Sequence, residues 1–189
     1  SCVTTDSVTK AEIMWTLKSI MSHYSYSSAT DLNELLHSMF PDSEIAKKFQ
    51  LSSTKMAYII RFGLDPYFHK ELLSEISTTT RFVIAFDESL NKVTQHGQMD
   101  VHIRFYNELT GKVTTRFFGS EFLGQATADD LLQKFTAVVA ELNCHNLIQV
   151  SMDGPNVNKS FLEKLKHPVS ERDHNEPELL ALGSCSLHI

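Results

Sequence analysis

Two short apolar runs, Phe82-Val83-Ile84-Ala85-Phe86 and Leu147-Ile148-Gln149-Val150, each reach an aspartate at or just past their C-terminal end, Asp87 and Asp153. Runs of this length and character fit strands covered on both faces. Strands lying side by side in one sheet bring their ends close together, however far apart they are along the chain. Two carboxylates so placed repel unless a cation sits between them.

The first part of the chain reads as helices with explicit punctuation. Thr9-Lys10-Ala11-Glu12 has the form of a capping box, and the helix after it is predicted to bury Ile13, Leu17, Ile20 and Met21. A second helix is predicted over 31–40, stopped by Pro41, with Asp42 or Ser43 capping a short third one. The 54–62 segment is predicted to end at Gly63 as a left-handed C-cap, and Asp65-Pro66 to start the next helix, which runs to about Ile76. Of the aromatic residues here, Trp15, Tyr24, Tyr26, Phe40, Tyr58, Phe62, Tyr67 and Phe68, core and interface roles are expected rather than base stacking.

After Ser77-Thr78-Thr79-Thr80 the period becomes strand-like. The 81–86 run is followed by 99–106, where Val101, Ile103 and Phe105 alternate with His102, Arg104 and Tyr106, and Thr110-Gly111 turns the chain into a hairpin partner over 113–118. Thr127 caps an amphipathic helix carrying Leu131, Leu132, Phe135, Val138, Val139 and Leu142. A fourth strand over 147–152, a helix over 155–166, a polar loop and a short fifth strand over 179–183 complete the order. Three strands, helix, strand, helix, strand, with the aspartates on the first and fourth, make an α/β RNase H-like fold. Its mixed five-stranded sheet with flanking helices would occupy residues 79–189, behind an all-helical subdomain over 1–78.

Composition narrows the function classes. No stretch approaches the roughly 18 to 20 apolar residues that span a bilayer, and SCVTTDSVTK lacks a basic-then-apolar signal pattern, so no membrane role and an intracellular location are expected. Three cysteines, Cys2, Cys144 and Cys185, form no disulfide framework. A net charge of −6 argues against a general nucleic-acid coat, while leaving room for a local basic groove.

Each motif also has a plain reading. Asp87 could simply end a strand, and Asp153-Gly154-Pro155 could be an ordinary helix entry; their joint position gives them weight. Glu88 adjoins Asp87 but would face the other side of the same strand, so Asp87 is preferred. Cys185-x-x-His188 has the form of half a zinc site, but no second pair of matching spacing exists for the four ligands structural zinc needs. No nucleophile elbow surrounds a serine, which leaves triad hydrolysis without support.

The string FDESLNKVTQHGQMDVHIRFYNELTGKVTTRFFGSEFLG, then SMDGPNVNKSFLEKL and GSCSLHI, resembles the hAT superfamily of DNA transposases and their domesticated, transposase-derived relatives. TKAEIMWTLKSIMSHYSYSS and MFPDSEIAKKFQLSSTKMAYIIRFGLDPYF resemble the helical region that precedes the catalytic core in those proteins. The resemblance implies a split RNase H-like core with an acidic triad, in which Asp87 and Asp153 match the first two acids and hold Mg2+ or Mn2+. Cys185 and His188 match the motif preceding a large helical insertion, with His188 near the DNA backbone.

The family's third acid lies beyond that insertion, and the chain stops at Ile189. It is therefore expected to be an excerpt or truncated product, inactive by itself, binding metal weakly and tending to self-associate. The DNA partner would be transposon ends and the location nuclear. The alternative is a domesticated scaffold that binds protein or DNA without catalysis; a true ribonuclease H ranks last.

Overall fold

Why the chain changes from helix to sheet is visible in its periods, and a computed structural model describes the result for residues 5–92, 95–124, 127–152 and 160–165. Helices α1 (Thr5–Met21), α2 (Leu32–Met39), α3 (Glu44–Lys48), α4 (Ser53–Ile59) and α5 (Asp65–Ser77) come first. Strands β1 (Phe82–Asn91), β2 (His96–Asn107) and β3 (Lys112–Leu123) follow, then α6 (Ala128–Val138), β4 (Leu147–Ser151) and a helical stretch over 160–165, here α7. The chain divides into two compact units, Ser1–Lys70 and Glu71–Ile189. Among the described residues no helix is long and apolar enough to cross a membrane.

The helical unit corrects several expectations. α1 is already formed at Thr5, so Thr9 and Glu12 lie inside the helix and make no capping box. Its buried residues are Val8, Glu12, Thr16 and Ser19, whereas Ile20 and Met21 are exposed and Ile13 and Leu17 only half-buried. The buried hydroxyls are satisfied within the helix: Thr16 Oγ1 donates to the Glu12 carbonyl at 2.8 Å and Ser19 Oγ to the Trp15 carbonyl at 2.9 Å. Small, self-satisfied polar residues can therefore face the interior in place of the apolar stripe.

The Glu12 carboxylate, 2% exposed, accepts from the Gln50 backbone N–H at 3.1 Å and from Lys55 Nζ at 2.6 Å. This joins α1 to the start of α4. Asn33 bonds Leu51 twice, through Nδ2 to its carbonyl and Oδ1 from its N–H, and ties down the other side of that segment. The core here is small: Ala29, Leu32, Phe49, Leu51 and Met56, with Ala11, Trp15, Leu36 and Ile59 packed around it. Ser43 and Ser52 cap α3 and α4, accepting from the N–H groups of Ala46 and Lys55.

Gly63 is not a left-handed cap. α4 runs through a π turn, Ile60–Leu64, straight into α5, where the Asp65 N–H bonds the Ile60 carbonyl. Asp65 is itself in helical geometry, so Asp65-Pro66 does not begin a separate helix. A proline nitrogen cannot donate, and its ring crowds the carbonyl one turn back. A widened turn just before Pro66 accommodates both effects without ending the helix. Of the aromatic residues given core and interface roles, Tyr24, Tyr26, Phe40, Tyr58, Phe62, Tyr67 and Phe68 are exposed and so lie outside the core, and Trp15 is half-buried.

In the second unit the four strands form one sheet in the order β3-β2-β1-β4. β1 pairs antiparallel with β2 and parallel with β4, and β2 pairs antiparallel with β3. Four strands are described rather than the expected five; 179–183 lies outside the described residues. β1 and β3 are longer than their apolar runs, because the hairpin ladders carry on through mixed sequence to Asn91 and Leu123.

Strand alternation sorts the side chains. Phe82, Ile84 and Phe86 of β1, with Met99, Val101, Ile103 and Phe105 of β2, form one apolar face. α6, its C-cap Val139 and α7 cover it, with Leu131, Phe135, Phe161 and Leu165. The rings of Phe86, Phe135 and Phe161 stand 5.3 to 5.7 Å apart in tilted and edge-to-face contact. Thr127 caps α6 as expected, accepting from the Asp130 N–H at 3.2 Å. Gly119 lets α6 approach β3, since a Cβ there would meet Val138 at 3.1 Å. The hairpin turn needs Gly111, whose φ is 64°, and the Asn107 side chain accepts from the Thr110 N–H beside it.

Candidate functional site

β1 sets the site because two kinds of partner end on it at different places. The antiparallel ladder with β2 runs its whole length, but the parallel ladder with β4 stops at Ala85↔Ser151. Asp87 therefore stands two residues beyond the last described parallel pair. Alternation puts it on the face opposite Phe86, and its side chain is exposed. Glu88 points to the other face, in keeping with the expected separation of the two acids.

In the β1–β4 ladder Val83↔Gln149, Ile84↔Val150 and Ala85↔Ser151 are successive pairs in one register. Residue 153 itself lies outside the described residues, as do Cys185 and His188. Cys144 is an exposed thiol next to His145 in the turn before β4.

Reading the two apolar runs alone misses Asp100. It lies directly opposite Asp87 in the β1–β2 ladder, so the two carboxylates share one face. Hydrogen bonds orient it: Asn91 Nδ2 donates to Gln98 Oε1 at 2.8 Å, and Gln98 Nε2 donates to Asp100 Oδ1 at 2.7 Å. Like charges directly across a ladder are destabilising, and a cation would remove the cost. The signal was in the sequence, since Asp100 has the strand parity of His102 and Arg104; what was lacking was the hairpin register.

The fit to a divalent ion can be stated from the donors. Carboxylate oxygens on a half-open sheet end suit Mg2+ or Mn2+, which keep several waters and take one or two protein carboxylates. Among the described residues no three His, Cys, Asp or Glu side chains converge on one point. Asp87 and Asp100 supply at most a pair.

No protein-family model matches the chain, and the comparison with curated proteins found no match.

Proposed function

We propose that the chain carries the first part of a hAT-like, RNase H-like core for divalent-metal-assisted phosphoryl transfer on DNA, with Asp87 and Asp153 as ligands of Mg2+ or Mn2+. The observation that supports this most is the place of Asp87, two residues beyond the last described parallel pair of β1 with β4. The order β3-β2-β1-β4, with a helical crossover before β4, is also what the first four strands of such a core require. When bound, the ion would neutralise charge on a phosphoryl oxygen and lower the pKa of a bound water.

The chain's own groups have simpler parts. Asp87 and Asp153 would supply the negative charge that holds the ion, and Asp100, directly opposite Asp87 in the β1–β2 ladder, would add to it. Cys185 and His188 match the family's DNA-proximal motif, His188 as a hydrogen-bond donor to the backbone. A transposon-end substrate implies a nuclear location.

Calorimetric titration with MnCl2 tests the reading. Two carboxylates and water form an incomplete oxygen cage, so a dissociation constant on the order of millimolar is expected, lost in Asp87→Asn and in Asp153→Asn. Binding unchanged by both substitutions would remove the basis for the proposal.

A second reading has its own observation. Met14, Met21, Tyr58, Phe62 and Tyr67 on the helical unit are 58 to 78% exposed, and Tyr58 and Phe62 stack on each other with ring centroids 5.4 Å apart. As a domesticated scaffold the chain would self-associate without using metal. Light scattering that shows a concentration-dependent dimer, alongside calorimetry that shows no manganese binding, would favour it.

A further inference from the structure

The helical unit holds a cavity of about 460 Å3 bounded by its first three helices. Met14 and Trp15 of α1, Leu36 of α2 with its C-cap Phe40, and Ile45 of α3 with its C-cap Phe49 give it apolar walls. On α1 the lining residues recur at helical spacing, from Ala11 through Met14 and Trp15, and the stripe ends in the ammonium of Lys18. Lys18 is exposed, and among the described residues no acid pairs with it.

The polar side chains of this lining all have protons to give. Lys18 can only donate. The Trp15 indole N–H is enclosed without an acceptor among the described residues. Ser43 Oγ already accepts from the Ala46 N–H at 3.2 Å, which leaves its own proton to donate. No carboxylate stands in the described wall to answer them.

We propose that the cavity binds a small amphipathic carboxylate, with its apolar body against Trp15, Leu36 and Phe49 and its charged head on Lys18. The volume is that of a small-molecule site, and such sites pair an apolar lining with a few polar contacts. Charge decides the head. A wholly apolar occupant, such as one face of a partner helix, would cover the donors without supplying acceptors, and a cationic one would be repelled by Lys18. A carboxylate brings acceptor oxygens and the opposite charge. The site lies within the helical unit and does not depend on the metal reading.

Trp15 is the chain's single tryptophan, so its emission reports on the cavity wall. Decanoate titrated into the whole chain, below the concentration at which it forms micelles, should change that emission saturably. Decanol should bind about tenfold more weakly, and decyltrimethylammonium should give no saturable change. Lys18→Met should bring decanoate down to the level of decanol. Met14→Glu, which adds a carboxylate at a position 60% exposed, should weaken decanoate more than decanol. Both side chains are exposed, so the variants should fold, and unchanged circular dichroism checks this.

Emission indifferent to decanoate, or equal affinity for decanoate and decanol in the unaltered chain, overturns the proposal. So does decanoate binding that ignores Lys18→Met. Emission that shifts on dilution of the protein alone, without a response to decanoate, also overturns it and makes a second copy the occupant.

Discussion

The two units hold together by different means. In the sheet unit a continuous apolar layer, from Ile76 through the strands to Phe135 and Phe161, does most of the stabilising. In the helical unit the buried side of α1 is polar, and a few directed bonds, Glu12 to Gln50 and Lys55, and Asn33 to Leu51, fix how the helices meet. Apolar packing is tolerant and spread over many residues, whereas directed bonds concentrate the same task in a few. The helical unit is thus the one in which a single polar substitution should matter most, and its outward apolar side chains are free for another role.

The strongest way to break this comparison lies in the sheet unit. Phe135→Ala removes a ring that is 1% exposed and touches Phe86 and Phe161, and it should cost about 3 to 5 kcal/mol in chemical denaturation. A loss under about 1 kcal/mol would show that the layer is not what stabilises the sheet. Next comes Glu12→Ala, which leaves the Gln50 N–H and Lys55 without their acceptor and should cost the helical unit about 2 kcal/mol. Ile20→Ala on the same helix should cost far less, since that side chain is 43% exposed. Equal costs at the two sites would mean that apolar periodicity, not directed bonding, governs α1.

Smaller effects sharpen the picture. Thr127→Ala removes the α6 cap and should cost about 1 kcal/mol by thermal denaturation. Smallest is the exposed Glu44–Lys47 pair on α3, where the hydrogen bond from Lys47 and then its charge lower the Glu44 pKa, and the same bond raises that of Lys47. A lowered carboxylate pKa means that any stabilisation is present above the ordinary carboxylate range and fades as pH falls through the lowered value. On the alkaline side it fades as pH rises through the raised Lys47 value. NMR titration should show both displacements, with scarcely any change in the melting temperature.

How much of this was legible in the sequence depends on which interaction does the work. Strand alternation over 99–106 is a local pattern, and it set Val101, Ile103 and Phe105 on one side, which is the buried one. The cap at Thr127 was equally local and equally readable, and that of α3 was narrowed to Asp42 or Ser43, of which Ser43 makes the bond. α1 was misread because Glu12 is satisfied by residues some forty positions away, and no local period records that. Gly63 was misread because a π turn and a glycine cap look alike until the Asp65 N–H has a partner. At the candidate site Asp87 could be picked from the end of its apolar run, while Asp100 needed the β1–β2 register, which depends on where the hairpin turns.

The proposal that Asp87 and Asp153 hold one ion requires the two positions to come together, and cysteine cross-linking tests it directly. In a chain with Cys2, Cys144 and Cys185 replaced by serine, Ala85→Cys with Ser151→Cys is the reference, since these two positions are paired across the strands. Neighbouring strands stand about 4.8 Å apart, within the Cα separation a disulfide can span. Under mild oxidation the account predicts that Asp87→Cys with Asp153→Cys cross-links to an extent similar to the reference pair, as read by mass spectrometry of the digest. A reference pair that closes while the Asp87 and Asp153 positions stay reduced would contradict it.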